Sequence, residues 1–509
     1  LLMFGALIVG ILSGFPVAFT IAGVAILFAV LGHLTGQMDL SLLGALGQRV
    51  FGVLTNTVLI AIPLFVAMGV VLEKSRIAEE LLGTMGRLFG GFRGGLGLSV
   101  VVVGALLAAS TGIVGATVIA MGLIALPTML RTGYDPRLAS GIVATSGTLG
   151  QIIPPSTLLI ILSDVMSNAY QQAQYEQGKF SVETISVGQI FAAALLPGFL
   201  LVGLYMLFIL VVARVAPDRA PPAPYEGRVA WGEVVGSVLP PIVLIVAVLG
   251  AILGGIATPT EAASIGAVGA ILMAGRRQGA NGALILAGAV ALIALAVAAG
   301  LAPVRLQRSD AGAVDWALGA LYAGLALVGF VAIGAALVAL ARRTVLRPAM
   351  LQTMSVTAMI FATILTASMF SLVFVGLGGE ARIERFLELM PGGATGALVF
   401  AMALIFVLGF FLDFVEITVI LLPLIVPPLL LMGHDPVWLA ILIAINLQTS
   451  FLTPPFGFSL FYLRSAAPPE ITTGHIYRGV SPFIGLQIVG IALVWAIPAI
   501  ARWLPGVVF

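Results

Sequence analysis

The 509-residue chain has no cysteine, three histidines and few charges, with 9% of its residues Asp, Glu, Lys or Arg. Without cysteine there are no disulfides and no thiolate chemistry. The histidines, His33, His434 and His475, lie in loops without metal-ligand spacing. Soluble domains carry about 25% charged residues, so this chain cannot cover a water-facing surface in the usual way. The formal net charge of +2 comes from basic residues scattered over short loops, which gives no footprint for nucleic acid. The sequence has no His-Glu-x-x-His, no phosphate-binding Gly-x-x-x-x-Gly-Lys and no nucleophile elbow, so the common hydrolase and nucleotide-binding signatures are absent.

What fills the chain is apolar: 61% of residues are hydrophobic. Runs of about 20 such residues, each long enough to span a bilayer, predict an all-α polytopic membrane protein. Spans are expected at 2–32, 50–72, 189–213, 238–256, 261–275, 283–301, 314–341, 351–376 and 481–501. Thr258-Pro259-Thr260-Glu261 suits a helix start. The Pro-rich stretch 217–228 reads as a loop, and 167–188 as a polar segment. Residues 73–96 and Glu380–Met390 are too charged to cross and recur at helical spacing, which predicts two helices lying along the interface. The chain opens on Leu1, which leaves room for residues before it. Its first apolar run has no basic flank or cleavage site and reads as a helix, not a signal peptide. With the N-terminus inside, sixteen of the 23 Lys and Arg fall in inside loops, as the positive-inside rule requires.

Residues 145–156, Thr-Ser-Gly-Thr-Leu-Gly-Gln-Ile-Ile-Pro-Pro-Ser, interrupt an apolar stretch. Proline removes a backbone donor and clashes with the preceding turn, so a helix breaks here at membrane depth. Broken backbone is tolerated there only inside protein or along a polar cavity, where secondary transporters hold ions and substrate. A partner stretch lies 300 residues on. Pro154-Pro155 matches Pro454-Pro455, Gly133-Tyr134-Asp135-Pro136 matches Gly433-His434-Asp435-Pro436, and Pro127 matches Pro427. Three landmarks in one register mark an internal repeat of about 55 residues. An odd number of predicted crossings separates the copies, so they enter from opposite faces as an inverted repeat.

Before each break lies an interrupted apolar run. Residues 97–127 read either as one tilted helix or as a re-entrant hairpin with its tip at 110–112; the small polar residues favour the hairpin. Residues 395–431 are the second hairpin, and within it stand Asp413 and Glu416. An acid at the bilayer centre costs roughly 2.5–3.5 kcal/mol or more and is by default functional. Like charges three residues apart oppose each other's ionisation, so Asp413 is expected against a cation and Glu416 at a polar or exposed edge. Freed carbonyls and side-chain oxygens suit a hard monovalent cation. Ser110, Thr111, Thr145, Ser146, Gly147 and Thr148 form one candidate sodium or substrate site; Asp413, Asn446, Gln448, Thr449 and Thr453 form the other.

At these motifs the sequence resembles the large membrane subunit of the TRAP transporters, the tripartite ATP-independent periplasmic carriers. Gly147-Thr148-Leu149-Gly150 with Ile153-Pro154-Pro155-Ser156 looks like the family's first broken helix, and Asn446 with Thr453-Pro454-Pro455 and Gly457 like its second. Gly409, Asp413, Pro423 and Pro427 resemble its second hairpin, and Thr258-Pro259-Thr260-Glu261-Ala262-Ala263 its central signature. Gly14-Phe15-Pro16-Val17-Ala18-Phe19 and Ile62-Pro63-Leu64-Phe65 also fit. Residues 276–348 depart from the pattern and read as an inserted pair of spans.

The resemblance implies sodium-coupled uptake of an organic acid across the bacterial inner membrane, with sodium ions for coupling and no other cofactor. It implies as partners a small four-helix membrane subunit and a periplasmic solute-binding protein. It also implies a scaffold plus an elevator-type transport domain. The division is then 1–96 scaffold and arm helix, 97–188 first transport repeat, 189–275 connecting helices, 276–348 insertion, 349–394 scaffold and second arm helix, 395–480 second transport repeat, and 481–509 final helix. A stand-alone sodium/dicarboxylate symporter and, less favoured, an intramembrane enzyme using Asp413 and Glu416 are the alternatives.

Overall fold

A computed structural model of the chain describes residues 2–112, 114–223, 230–304, 306 and 312–509, apart from the side chains of 109–111. Every regular element among them is helical. In order these are α1 (Leu2–Leu12), α2 (Val17–Leu34), α3 (Leu46–Thr55), α4 (Ala61–Lys74), α5 (Ile77–Phe89), α6 (Gly95–Thr111), α7 (Val114–Arg131), α8 (Pro136–Thr148) and α9 (Thr157–Glu176). Then follow α10 (Val187–Val215), α11 (Trp231–Leu253), α12 (Pro259–Arg277), α13 (Gly282–Leu301), α14 (Ala313–Arg342), α15 (Leu346–Gly376), α16 (Gly379–Glu388) and α17 (Gly393–Leu408). A short α18 (Phe414–Glu416) passes through a π-turn into α19 (Leu422–Leu431), before α20 (Pro436–Leu452), α21 (Phe458–Ala466), α22 (Thr473–Ala496) and α23 (Ala499–Val508). Nine described helical stretches, with Phe414–Leu431 taken as one, are long and apolar enough to cross a membrane.

Four sequence expectations need correction. Residues 2–32 are two helices, because Gly14 takes a positive φ of 83° and Pro16 starts α2. Residues 50–72 are also divided: α3 ends at Thr55, and the Asn56 side chain accepts from the Val58 N–H to turn the chain before α4. The segment 167–188 begins as helix, since α9 runs on to Glu176. The last span is 473–496, not 481–501; it starts at a Thr472 capping box and ends before Pro498, and α23 turns off from it. The loop 217–228 lies partly outside the described residues.

The amphipathic helices fall where expected, as α5 and α16. α4 and α12 run side by side: Thr260 Oγ1 donates to the Thr57 carbonyl at one end, and Arg277 pairs with Glu80 at the other. The pair α13–α14 is knitted together, and onto α12, by small residues. A Cβ on Gly288 would lie 2.1 Å from Ala332 Cβ, and one on Gly275 2.4 Å from Ala336 Cβ. Such residues let membrane helices approach where no hydrophobic force drives them together.

The segments offset by 300 residues fold into the same series: helix, turn, helix, Asp-capped helix, break, helix. Asp135 and Asp435 cap α8 and α20, accepting from Arg137 N and Trp438 N. Each Asp also meets an arginine from further along the chain, Arg219 at 3.7 Å and Arg502 at 3.3 Å. Both breaks carry a cis Pro-Pro bond. The copies interlock, with α7 packed on α21 and α19 on α9.

Candidate functional site

The first break begins where α8 ends. Three residues of 3₁₀-helix, Leu149–Gln151, are followed by irregular chain to Ser156, which is buried throughout. Ser156 Oγ donates to the Gln151 carbonyl at 2.9 Å, and Thr157 Oγ1 donates to the Gly112 carbonyl. The second bond ties the turn between α6 and α7, where Gly112 has φ +59°, to the start of α9. Glycine is required at the crossing: a Cβ on Gly104 would lie 2.6 Å from Ser146 Cβ, and one on Gly147 2.4 Å from Val118 Cγ2. These small residues thus let the hairpin's helices press onto the broken helix.

The second break, Thr453–Gly457, separates α20 from α21. At one pair of positions offset by 300 residues the glycine is lost from the broken helix, since Ser450 stands where the first copy has Gly150. Gly409, on the hairpin side, faces Ser450, and a Cβ there would lie 2.7 Å from Ser450 Cβ. At the first break Gly150, on the broken helix, faces Ala108 at an ordinary 3.4 Å. Asn446 Nδ2 donates to the Met402 carbonyl at 2.7 Å and clamps α17. Asp413 starts α18, its Oδ1 accepting from Phe414 N at 2.7 Å. Glu416 is buried at 6% exposure and its Oε2 has no partner. Its expected polar or exposed edge is therefore corrected: three residues on, the chain has re-entered the packed hairpin.

Between the breaks, Gln448 Nε2 donates to Thr148 Oγ1 at 3.3 Å. These positions are 300 residues apart, so equivalent sites of the two copies touch. Gln448, grouped by sequence with the second break, reaches the first. Thr148 donates to the Thr145 carbonyl, Ser146 to Ile142, Thr449 to Ile445 and Thr453 to Thr449. These hydroxyl protons are spent on their own helices, which leaves the oxygens only acceptor capacity. Thr145 Oγ1, Gln448 Oε1 and both amide atoms of Gln151 are buried and unpartnered. Buried polar groups nearly always find a partner, so these atoms stand out as unsatisfied in the protein alone. Gln151 is the residue that sequence reasoning misses. It lies inside the first broken stretch, past the Thr145–Thr148 run of candidates, and only the packing shows that its amide is buried without a partner. The side chains of Ser110 and Thr111 lie outside the described residues. Among the described residues no cluster of three His, Cys, Asp or Glu suits a metal.

Beside this centre opens a cleft of about 250 Å³ between α3 and α15 on one side and α9 and α19 on the other, lined by Arg49, Asp164, Asn168, Ser368 and Val419. Asn56 Nδ2 donates to Asp164 Oδ1, one of the lining residues, at 2.9 Å.

Two facing broken helices around buried, unpartnered oxygens, in an all-helical multi-pass protein, define a membrane carrier. A family model described as "Tripartite ATP-independent periplasmic transporter, DctM component" matches residues 4–500, and the chain belongs to that family. It is a multi-pass protein of the inner membrane. It is 26% identical, over 99% of its length and 96% of the relative's, to the C4-dicarboxylate TRAP transporter large permease protein DctM of Vibrio cholerae. It is 25% identical to the ectoine TRAP transporter large permease protein TeaC of Halomonas elongata, over 98% and 97% of the two chains. Against the isethionate TRAP transporter permease protein DctMQ of Oleidesulfovibrio alaskensis it is 23% identical over 99% of its own length and 66% of the relative's. Among solved structures, the YdaH transporter of Alcanivorax borkumensis shares the fold, with a TM-score of 0.54 at 16% identity over 90% and 88% of the chains.

Proposed function

We propose that this chain is the membrane permease subunit of a sodium-coupled importer of an organic acid, fed by a periplasmic binding protein and completed by a small four-helix membrane subunit. The observation that carries the reading is the contact between Thr148 and Gln448 amid buried, unpartnered oxygen atoms. A dehydrated cation supplies the missing partner for such oxygens, and helix N-termini after the breaks, at Thr157 and Phe458, favour the substrate's carboxylate. The contact between equivalent positions also supports a two-fold, inverted relation of the copies. The relatives' names, which cover C4-dicarboxylates, ectoine and isethionate, support small polar organic acids as the substrate class.

The hairpins and broken helices, 97–188 and 395–480, form the moving body in this reading. The cleft beside Arg49 and Asp164 is the surface along which that body slides on the scaffold. The test is uptake into proteoliposomes containing both membrane subunits. Accumulation is expected with an inward sodium gradient and binding protein present, and without ATP. Sodium-independent uptake overturns the ion assignment; full uptake without binding protein makes the chain a stand-alone symporter.

A further inference from the structure

Away from the central site, α8, α10 and α22 meet in a cleft of about 170 Å³ whose lining includes Asp135, Arg137, Phe208, Arg219, Arg478 and Pro482. Three guanidinium groups face one carboxylate. Asp135 is already engaged: one oxygen accepts the Arg137 N–H that caps α8, and the other lies 3.7 Å from Arg219 Nε. Among the described residues Arg137 and Arg478 have no acidic partner, and both are exposed. The fold does not demand this charge, because the position equivalent to Arg137 in the second copy is Val437.

The cleft sits where the polar ends of two membrane-length helices converge. α10 ends at Val215, and α22 begins at Thr473. Phe208 and Val212, which also lines the cleft, lie two turns and one turn inward from the end of α10, and Pro482 lies one turn inward from Arg478. All three present apolar surface that is partly or fully exposed. Basic groups at the membrane edge above an apolar groove match an amphiphile whose anionic group sits at the interface and whose chain runs along the helices.

We propose that this cleft binds the phosphodiester headgroup of an anionic diacyl phospholipid, with Arg137 and Arg478 as its direct partners and Arg219 as the link to Asp135. A free phosphate would use the same arginines but gain nothing from Phe208, Val212 and Pro482. The site depends on the chain lying in a membrane and is independent of which ion or substrate it carries.

The experiment is native mass spectrometry of the full chain in detergent with phosphatidylglycerol, using phosphatidylcholine as the neutral control. Each interfacial arginine contributes about a fivefold gain in lipid affinity, so Arg137→Gln with Arg478→Gln should lower phosphatidylglycerol retention roughly thirtyfold. The corresponding double lysine variant should keep most of it. Arg276→Gln with Arg277→Gln, at another basic end, should change it little. Unchanged retention in the first variant, or equal loss in the Arg276/Arg277 control, overturns the site. Competition by soluble glycerol phosphate as strong as that by the diacyl lipid also overturns it, because the apolar groove then plays no part. A thermal melt alongside each variant separates lipid loss from unfolding; a variant that no longer melts cooperatively is replaced by Arg478→Gln alone, for which about a fivefold loss is expected and no loss refutes the assignment.

Discussion

The two copies of the hairpin and broken helix share a plan and differ in chemistry. In the first, the break is lined by hydroxyls and a buried amide, with close-packed glycines on both the hairpin and the broken helix; Gln151 and Thr145 carry the unpartnered atoms. In the second, the acids Asp413 and Glu416 stand on the hairpin, and the glycine of the close crossing is there with them, at position 409. The helix after the break is also shorter, with α21 covering nine residues against twenty for α9. The backbone scheme is thus shared while acids within the hairpin are confined to one half. Matching backbones with asymmetric ligands can present unlike surroundings, acid in one half and hydroxyls and amides in the other.

The largest expected effect falls on the charged half. Asp413→Asn keeps an oxygen to accept from Phe414 N, so the cap survives and only the charge is lost. Sodium-driven uptake at equal expression should fall roughly a hundredfold, since an acid held in a span at a cost of ~2.5–3.5 kcal/mol must return that much to the mechanism. Normal uptake would erase the distinction between the halves. Next comes the exchanged glycine. Gly409→Ala forces a methyl into Ser450 and should lower stability by about 1–3 kcal/mol, as overpacking does. Gly150→Ala meets ordinary contact and should melt like the parent; equal costs would mean the two crossings are not different after all.

The contact between the copies is predicted to matter for ions more than for folding. Gln448→Leu loses one hydrogen bond, worth about 1 kcal/mol, but also removes a buried unpartnered oxygen. The melting temperature should therefore hold while the sodium concentration for half-maximal uptake rises; Thr148→Val should act the same way, with a double mutant no worse than either alone. Glu416→Gln is the smallest change, because Glu416 Oε2 makes no hydrogen bond to lose. Uptake within about threefold of the parent is expected, and a larger loss would make the acids a functional pair.

Much of this is legible in the sequence because proline and glycine act locally. Pro154-Pro155 and Pro454-Pro455 announce both breaks, and the charged faces of 77–89 and 379–388 announce the two arm helices. Other divisions stay hidden where the interruption is mild. Ser13–Pro16 and Asn56–Ile60 lie within apolar runs whose length alone suggests one span, and only the turn geometry shows the division. The site is less legible than the fold. Composition marks oxygens near a break, but whether a hydroxyl bonds its own helix, or an amide crosses to the other copy as Gln448 does, depends on packing between segments 300 residues apart. Glu416 is misplaced by sequence for the same reason, since helical phase gives a direction but not what lies there.

α8 and α22 cross in backbone contact: a Cβ on Gly141 would lie 2.2 Å from the Gly479 carbonyl oxygen, and one on Gly479 2.0 Å from that of Arg137. Two rods touching at bare backbone have no side-chain layer to shear, so the last long helix is mechanically welded to the first broken helix. α23 follows, with Phe509 set against Gly188 at the start of α10. A fluorophore attached at position 509 should therefore keep a fixed distance from one on α8, and if the broken-helix body slides as proposed, it should report that displacement against a second dye on α2.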